Sequence, residues 1–422
     1  MSHYKPYLAY KDSGVKWLGT VPAHWNVTRL KYNLRHISEK TDRRERTVAL
    51  ENIESWTGKL IETDTEFEGD GVAFKVGDIL FGKLRPYLAK AYLATTPGEA
   101  VGDVFVVRPS IKISPQFSHY QVLSREFIDT VDGSTCGAKM PRVNWDFFGD
   151  MLLTVPLIEE QCIIVDHLNH ETARIDNLIY KKTYFIYLLR EKRQALITHA
   201  VTKGLDLQAK MMDSGVDWLG EVPAHWNVLS FQRCVSVAKG QVDPEISPFR
   251  EMILLAPNHI ESGTGRILYT ETANDQHAES GKYICEKGDI VYSKIRPALR
   301  KVCIATLKCL CSADMYPLRA HSGMTNAFLF WFLLSEPFSA FSVLEANRVA
   351  MPKINRESLN NLFLPMPSIK DQFSIANYLS LETERIDTLI IKTERSIELI
   401  KERRSALITA AVTGQIDLRE AA

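Results

Sequence analysis

A chain of 422 residues is too long for one ordinary hydrophobic core, and the length alone predicts about three domains. Apolar residues make up 45% and charged residues 24%, the balance of a folded globular protein rather than a disordered one. Lysine plus arginine equals aspartate plus glutamate at 51 each, so any nucleic-acid surface must be local. The longest apolar run, residues 327–334, is too short to cross a bilayer, and the first residues lack an export signal. Seven cysteines without a zinc-type CxxC pair predict reduced thiols in a cytoplasmic protein.

The sequence is one unit of about 200 residues written twice. The segment DSGVKWLGTVPAHWNV, residues 12–27, recurs at 213–228 with 14 of 16 positions identical. Further along, GDILFGKLRP recurs as GDIVYSKIRP, MPRVNWDFF as MPKINRESL and KRQALITHAVT as RRSALITAAVT, each 211 residues later. Between these blocks the copies barely resemble each other. The pattern predicts a shared frame that carries two different variable surfaces.

The first part of each unit is predicted to be an α+β domain. Three segments, KVGDILFG, AVGDVFVVRP and GDIVYSKIRP, combine β-branched and aromatic residues with turn-forming residues and are predicted to be strands. Helices are expected around residues 120–130 and 328–341. These patterns place domain 1 at residues 1–157 and domain 2 at residues 209–368.

The second part of each unit is predicted to be a long helix that forms a coiled coil with its counterpart. Apolar residues recur at alternating spacings of four and three along 168–196 and 379–407, and the polar exceptions, which include Arg193 and Arg404, fall at matching places. An amphipathic helix lying on its own domain is the alternative. A short connection into domain 2 favours an antiparallel pair with a pseudo-two-fold axis. The expected bounds are 158–208 for helix one with its linker and 369–422 for helix two.

Two repeated pairs of basic residues are candidates for DNA contacts. Lys83 with Arg85, and Lys294 with Arg296, each stand before a proline. The spacing of two predicts that both side chains lie on one face of a strand that the proline ends. Such a pair can hold phosphates or donate to guanine edges in the major groove. Residues 29–46 add seven basic residues against three acidic ones. A solvated strand edge protected by lysine is the alternative for each pair.

The repeated MPRVNW block adds three further basic candidates, Lys139, Arg142 and Lys353. Arg142 and Lys353 occupy the same place in the two copies, and they could be structural or could contact phosphates. Asn144 and Asn355, two residues later, are predicted to be helix N-caps, each with an acidic residue two positions after it.

Other repeated residues are predicted to be structural. The tryptophans of WLGxVPAHW are expected in the core, and the adjacent His24 and His225 are expected to be packed or hydrogen-bonded. His167 and His170 could form a metal pair, but the second copy has Tyr and Leu there, so a shared metal role fails. The chain has no P-loop, no HExxH and no GxSxG motif. These patterns predict a chain that is not an enzyme on its own and that holds no metal.

The motifs, in this order and duplicated, resemble the DNA specificity subunit of Type I restriction-modification systems over essentially the full length. The carrying segments are KDSGVKWLGTVPAHW, GDILFGKLRP, MPRVNW, LIEEQCIIVDHL and KRQALITHAVTKG with their second copies. The resemblance implies two target recognition domains that each read half of a gapped DNA site. It implies helices that set the gap and dock two adenine-N6 methyltransferase subunits, with restriction subunits joining the assembly. It implies that S-adenosylmethionine, ATP and Mg belong to those partners and that this chain holds no cofactor.

One feature departs from the family pattern. The short tandem repeat that some relatives carry between helix one and domain 2 is lacking, so gap tuning by repeat number has no support. The first alternative is a specificity subunit of a related system whose nuclease and methylase are fused in one partner. A coiled-coil scaffold without a DNA role and a self-sufficient methyltransferase are the others. The recognised DNA sequence is not predicted, because recognition domains diverge.

Overall fold

The computed structural model describes residues 4–41, 46–61, 63, 71–135, 140–346 and 352–419. The chain divides into two compact units, Met1–Thr183 with Glu394–Ala422, and Tyr184–Thr393. Each unit contains one domain of mixed helices and strands together with parts of two long helices. The α+β class is confirmed, whereas the boundaries drawn between domains and helices stay predictions.

The first unit is built on two four-stranded sheets. Its strands are β1 (Tyr10–Asp12), β2 (Thr20–Pro22), β3 (Asn26–Arg29), β4 (Leu34–Ile37), β5 (Lys40–Thr41), β6 (Thr47–Val48), β7 (Gly71–Phe74), β8 (Ile79–Gly82), β9 (Ala91–Leu93), β10 (Gly98–Ala100), β11 (Val104–Pro109) and β12 (Leu152–Val155). Strands β4, β11, β8 and β9 form one sheet in that order, and β5, β7, β10 and β6 form the other. The helices of the first unit are α1 (Leu30–Asn33), α2 (Pro115–Val122), α3 (Arg125–Gly133), α4 (Trp145–Asp150) and the first part of α5 (Ile158–Lys203).

Strand β8 is buried on both faces, which explains its continuous apolar sequence. Ile79 and Phe81 lie in the core that contains residues of α2, α3 and α4. Leu80, between them, lies in the core shared with the second sheet. Side chains alternate across a strand, so a strand between two cores needs apolar residues at every position.

The second unit repeats one four-stranded sheet of the first unit and adds a smaller sheet. Its strands are β13 (Met211–Asp213), β14 (Glu221–Pro223), β15 (Asn227–Ser230), β16 (Val235–Val237), β17 (Leu254–Leu255), β18 (Tyr283–Cys285), β19 (Ile290–Ser293), β20 (Val302–Ile304), β21 (Cys309–Cys311), β22 (Met315–Ala320) and β23 (Phe363–Met366). Strands β16, β22, β19 and β20 match the order β4, β11, β8 and β9, and the smaller sheet contains β17, β21 and β18. The helices of the second unit are α6 (Phe231–Cys234), α7 (Asn326–Leu333), α8 (Glu336–Ala346), α9 (Arg356–Asn360) and the first part of α10 (Ile369–Val412).

The long helices α5 and α10 run antiparallel, as the sequence predicted. In the first unit, Ile164 near the start of α5 and Ala411 near the end of α10 lie in one core. Farther along α5, Asp176 forms an ion pair of 3.0 Å with Arg404, which is earlier in α10. Moving forward along one helix therefore means moving backward along the other. The second unit pairs the remaining halves of the helices in the same sense.

Most residues predicted to be structural are packed or hydrogen-bonded, whereas the side chain of His225 is 60% exposed and lies 3.9 Å from the carboxylate of Asp371. Trp25 and Trp226 are buried, and His24 makes a hydrogen bond of 2.9 Å with Glu160. Asn144 and Asn355 cap α4 and α9 by accepting hydrogen bonds from backbone N–H groups. Within the described ranges, no single helix is long and apolar enough to cross a membrane, and only the bent pair α7–α8 passes that test by length and composition.

Candidate nucleic-acid interface

Each predicted basic pair lies on the turn that follows a buried strand and not on the strand itself. Strands β8 and β19 end one residue before Lys83 and Lys294. Arg85 has a φ of 50° and Arg296 has a φ of 46°, both in the left-handed region. The prediction that each pair shares one face of a strand is therefore wrong, because a left-handed residue ends the alternation of an extended chain. The proline that follows begins a short 3-10 turn.

The turn lies beside the MPRVNW segment, so two separate sequence blocks meet. The backbone N–H of Val143 donates to the carbonyl of Lys83 at 3.0 Å, and that of Arg85 donates to Pro141 at 2.8 Å. In the second unit the corresponding bonds join Ile354 to Lys294 at 2.9 Å and Arg296 to Pro352 at 3.1 Å. The structure thus groups predicted residues as Lys83, Arg85 and Arg142 in one unit and Lys294, Arg296 and Lys353 in the other. Lys139 lies outside the described residues.

In the first unit, one carboxylate orients two of the three cations. Asp103 accepts from Nη2 of Arg142 at 2.7 Å and lies 3.8 Å from Nζ of Lys83. Arg85 is exposed and forms no ion pair with the described part of the chain. Asp103, which the sequence reading missed, therefore fixes the shape of the cluster while Arg85 keeps an unneutralised charge.

In the second unit, the cluster keeps more positive charge. Arg296 and Lys353 are exposed, and the ammonium of Lys294 lies 5.3 Å from the ring centroid of Tyr316. Among the residues that the structure describes, no carboxylate forms an ion pair with Lys294, Arg296 or Lys353. Unneutralised cations on an exposed turn suit contact with phosphates.

Aromatic side chains line both clusters, and the sequence reading missed them. In the first unit the ring of His36 stacks on Trp145 at a centroid distance of 4.2 Å, and Lys83 lies 5.8 Å from the ring of Phe105. Burial, and then the charge of Lys83, lowers the pKa of His36 below its ordinary value. In the second unit, the guanidinium of Arg356 lies over the rings of Tyr283 and Tyr316. The sequence contains a signal for these rings, because Phe105 and Tyr316 are both aromatic and occupy corresponding positions of the repeat, 211 residues apart.

The aspartate of each GDI block holds the strand that leads into the basic turn. Asp78 accepts two hydrogen bonds of 2.7 Å from Arg108, and Asp289 accepts bonds of 2.8 and 2.7 Å from Arg319. Both aspartates are buried. Two parallel bonds between a guanidinium and a carboxylate fix geometry as well as charge. The repeated aspartates are therefore structural supports of the site.

The basic residues of 29–46 are partly neutralised. Arg29 and Lys31 lie 3.5 and 2.6 Å from the carboxylate of Asp150. The hydrogen bond from Lys31 is the main reason that the pKa of Asp150 is lowered. Residues 42–45, with two of the seven basic side chains, lie outside the described residues. The run therefore adds less free positive charge than its composition suggests.

One member of the candidate metal pair, His167, forms a hydrogen bond within the protein. Nε2 of His167 lies 2.8 Å from the hydroxyl of Tyr4. Burial is the main cause of a lowered pKa at His167. Among the described residues, no group of three or more His, Cys, Asp or Glu side chains could hold a metal ion.

The chain is similar in sequence to specificity subunits of Type I restriction enzymes. Residues 256–399 match the family described as Type I restriction modification DNA specificity domain. The specificity subunit of the Type I restriction enzyme EcoDI of Escherichia coli is 26% identical over 359 residues, covering 82% of this chain and 79% of that protein. The MjaVIII specificity subunit of Methanocaldococcus jannaschii is 23% identical over 435 residues, or 97% of both chains.

Solved structures share the fold. A chain from a study of "complex assembly and conformational transition of the type I R-M system" aligns with a TM-score of 0.73 at 17% identity, covering 93% of this chain and 98% of that one. The HsdS subunit of Thermoanaerobacter tengcongensis aligns with a TM-score of 0.53 at 16% identity, covering 94% and 98%. At these identities the likeness concerns the fold alone.

Proposed function

Because the chain belongs to the family of DNA specificity subunits of Type I restriction-modification systems, we propose that it reads a bipartite, gapped site in double-stranded DNA and directs its partner subunits to that site. The chain acts as a specificity subunit and not as an enzyme. One observation carries the proposal: the same basic turn occurs in two domains whose sequences differ between the repeated blocks. Two unlike surfaces on one frame suit a site with two unlike halves.

The two basic turns are the proposed DNA contacts. Arg85 and Arg296 are exposed, left-handed and held by backbone hydrogen bonds, so their positions are fixed before DNA arrives. Lysine and arginine on such turns would contact phosphates in any sequence, and a guanine edge where the turn enters the major groove. Arg142 and Lys353 on the neighbouring segment would extend each contact.

The proposed partners are two methyltransferase subunits that modify adenine N6, and restriction subunits that cut DNA. S-adenosylmethionine would be bound by the former, and ATP with Mg by the latter. Their proposed docking surface is the exposed apolar stretch of the long helix α5 at residues 184–188. Support comes from α5, where Tyr184, Phe185, Tyr187 and Leu188 are between 45% and 55% exposed. Exposed apolar residues grouped on one helix are typical of a protein interface.

Methylome sequencing tests the function. A host that lacks Type I modification would express the chain with its cognate methyltransferase subunits. We expect adenine methylation at one bipartite motif with a fixed gap, and none when the chain is omitted. Methylation that does not depend on the chain, or a motif with a single half, would contradict the proposal. A fused nuclease–methylase partner would give the same motif but co-purify as one larger subunit.

A further inference from the structure

An arginine that the protein largely encloses occupies the same place in each long helix. Arg193 of α5 and Arg404 of α10 are 211 residues apart and are polar exceptions in the apolar seam. Only 7% and 12% of their side chains are exposed. A guanidinium keeps its charge when buried, so each must be matched by acceptors within the protein.

In the second unit, Arg193 joins both helices to a hairpin of the recognition domain. Its Nε donates to Asp387 of α10 at 2.9 Å. Its two terminal nitrogens donate to the carbonyls of Gly263 at 2.9 Å and Thr264 at 3.2 Å. These carbonyls lie at the tip of a hairpin that is closed by a bridge between Ile260 and Ile267. Three nitrogens of the guanidinium therefore bind three acceptors on two different elements.

The first unit repeats the ion pair and one of the two carbonyl contacts, with the helices exchanged. Nε of Arg404 in α10 donates to Asp176 of α5 at 3.0 Å, and Nη1 donates to the carbonyl of Trp56 at 3.1 Å. Lys59 of the same hairpin adds an ion pair of 2.8 Å to Asp176. The hairpin tips read IESWTGK and IESGTGR, 207 residues apart, so the two hairpins are also a sequence repeat.

The residue that offers the carbonyl is left-handed in both units. Gly263 has a φ of 74° and Trp56 has a φ of 65°. A tryptophan rarely adopts this conformation, because its Cβ crowds the backbone. The same backbone geometry in both copies, despite the different side chain, indicates that the direction of the carbonyl is what is kept.

A chain of backbone hydrogen bonds leads from this hairpin to the candidate DNA-binding turn. The N–H of Gly263 donates to the carbonyl of Arg300 at 3.2 Å. Arg296 and Arg300 flank the 3-10 turn Pro297–Leu299, and the N–H of Leu299 donates to the carbonyl of Arg296 at 2.9 Å. In the first unit, Trp56 donates to Ala89 at 3.0 Å, at the end of the turn that follows Arg85.

We propose that Arg193 and Arg404 are positioning residues that fix the DNA-binding turn of their own unit to the helix pair, and thereby restrict the gap length that the subunit accepts. The inference rests on the proposed function. A buried ion pair favours one geometry over near alternatives, since a shifted hairpin would leave the guanidinium without acceptors. Without the arginine the hairpin could settle in several places on the helices. The recognition domain would then accept neighbouring gap lengths.

The test compares variants of the full chain, each expressed with its cognate methyltransferase subunits and followed by methylome sequencing. Arg193→Lys keeps a cation for Asp387, but a single ammonium cannot reproduce the fork that also binds two carbonyls. We expect sites with a gap one base pair longer or shorter, rare with the wild type, to rise by about tenfold relative to the native gap. Lys192→Ala, an exposed neighbour on the same helix, is the matched control and should keep the native gap.

Arg193→Ala and Arg404→Lys extend the test to a complete loss of the cation and to the first unit, with Arg403→Ala as the exposed control there. Thermal unfolding shows which variants fold, and the folded ones decide. An equal fall in methylation at every gap length, or an unchanged native gap, would show a purely structural role and overturn the proposal. If the wild type itself yields no bipartite motif, the proposed function fails instead.

Discussion

Lys294 and Arg296 provide the most direct test of DNA contact at the scale of single residues. Neither forms an ion pair with a carboxylate in the described parts of the chain, so the loss of both leaves no buried charge behind. Lys294→Ala with Arg296→Ala should weaken binding of the complex to its site by about 1–3 kcal/mol and reduce the salt dependence of binding. Fluorescence anisotropy over a series of salt concentrations measures both. Lys287→Ala, an exposed residue of the same unit, is the control, and equal loss with both variants would contradict the contact.

His119 makes the first unit sensitive to acid. Its Nε2 lies 2.8 Å from the carbonyl of Ala91, and burial lowers its pKa to about 4. Below pH 6.5 the unfolded chain binds a proton that the native chain excludes. The contribution of neutral His119 to the free energy of unfolding is therefore present above pH 6.5 and is lost as the pH falls towards 4. The free energy of unfolding should decrease by roughly 2–3 kcal/mol from this residue between pH 7 and pH 4.5.

The second unit supplies the matched replacement for His119. Phe330 stands at the corresponding position, 211 residues later, and packs against the hairpin glycine Gly265 as His119 packs against Gly58. His119→Phe should fold and remove this part of the pH dependence. Urea unfolding at pH 7 and pH 4.5 measures the change. The explanation fails if the variant loses as much stability on acidification as the wild type.

At the scale of elements, the hairpin of the first unit depends on the close approach of Gly58. Its φ is 68°, and a Cβ there would lie 2.1 Å from the carbonyl oxygen of Ala91. Gly58→Ala should reduce the free energy of unfolding by about 3 kcal/mol, because backbone strain and a backbone clash add. Gly19 has a φ of 61° and no atom within contact of an added Cβ, so Gly19→Ala should reduce the free energy of unfolding by only about 1 kcal/mol. Equal losses in urea unfolding would show that strain alone acts.

At the scale of the whole molecule, the antiparallel helices bring the last described residues beside the first ones. In the first unit the N–H of Asp417 donates to the carbonyl of Lys5 at 2.8 Å, and the guanidinium of Arg419 lies 4.9 Å from the ring centroid of Tyr7. Leu207, in the connection between α5 and β13, is 82% exposed. Adjacent ends and an exposed connection are the conditions under which circular permutation is tolerated.

A permuted chain should therefore keep its specificity. The present ends would be joined by a short linker, and the chain would be opened between Gln208 and Ala209, with the same linker inserted at residue 208 of the unpermuted chain as control. Methylome sequencing should return the same motif with the same gap as the wild type. A permuted subunit that folds and binds its partners but methylates a motif with altered spacing would contradict the antiparallel frame.

The repeated frame was determined by the sequence alone. Duplicated blocks and spacings of three and four are local patterns, so they identified the long helices, the α+β domains and the N-caps Asn144 and Asn355. They also selected the basic residues that the fold groups together. Such patterns state which face of an element is apolar, but they do not state which distant residue lies against it.

Tertiary structure decided the conformation and the neighbours of the site. The left-handed Arg85 and Arg296 depend on backbone partners in another segment. The spacing of two residues therefore wrongly predicted that each basic pair lies on one face of a strand. Asp103 meets Arg142 across 39 residues, and Arg404 meets Trp56 across 348. A buried guanidinium must find acceptors wherever the fold brings them. Only the packed chain could therefore show that a polar exception in a helix seam holds a hairpin and, through it, the candidate DNA-binding turn.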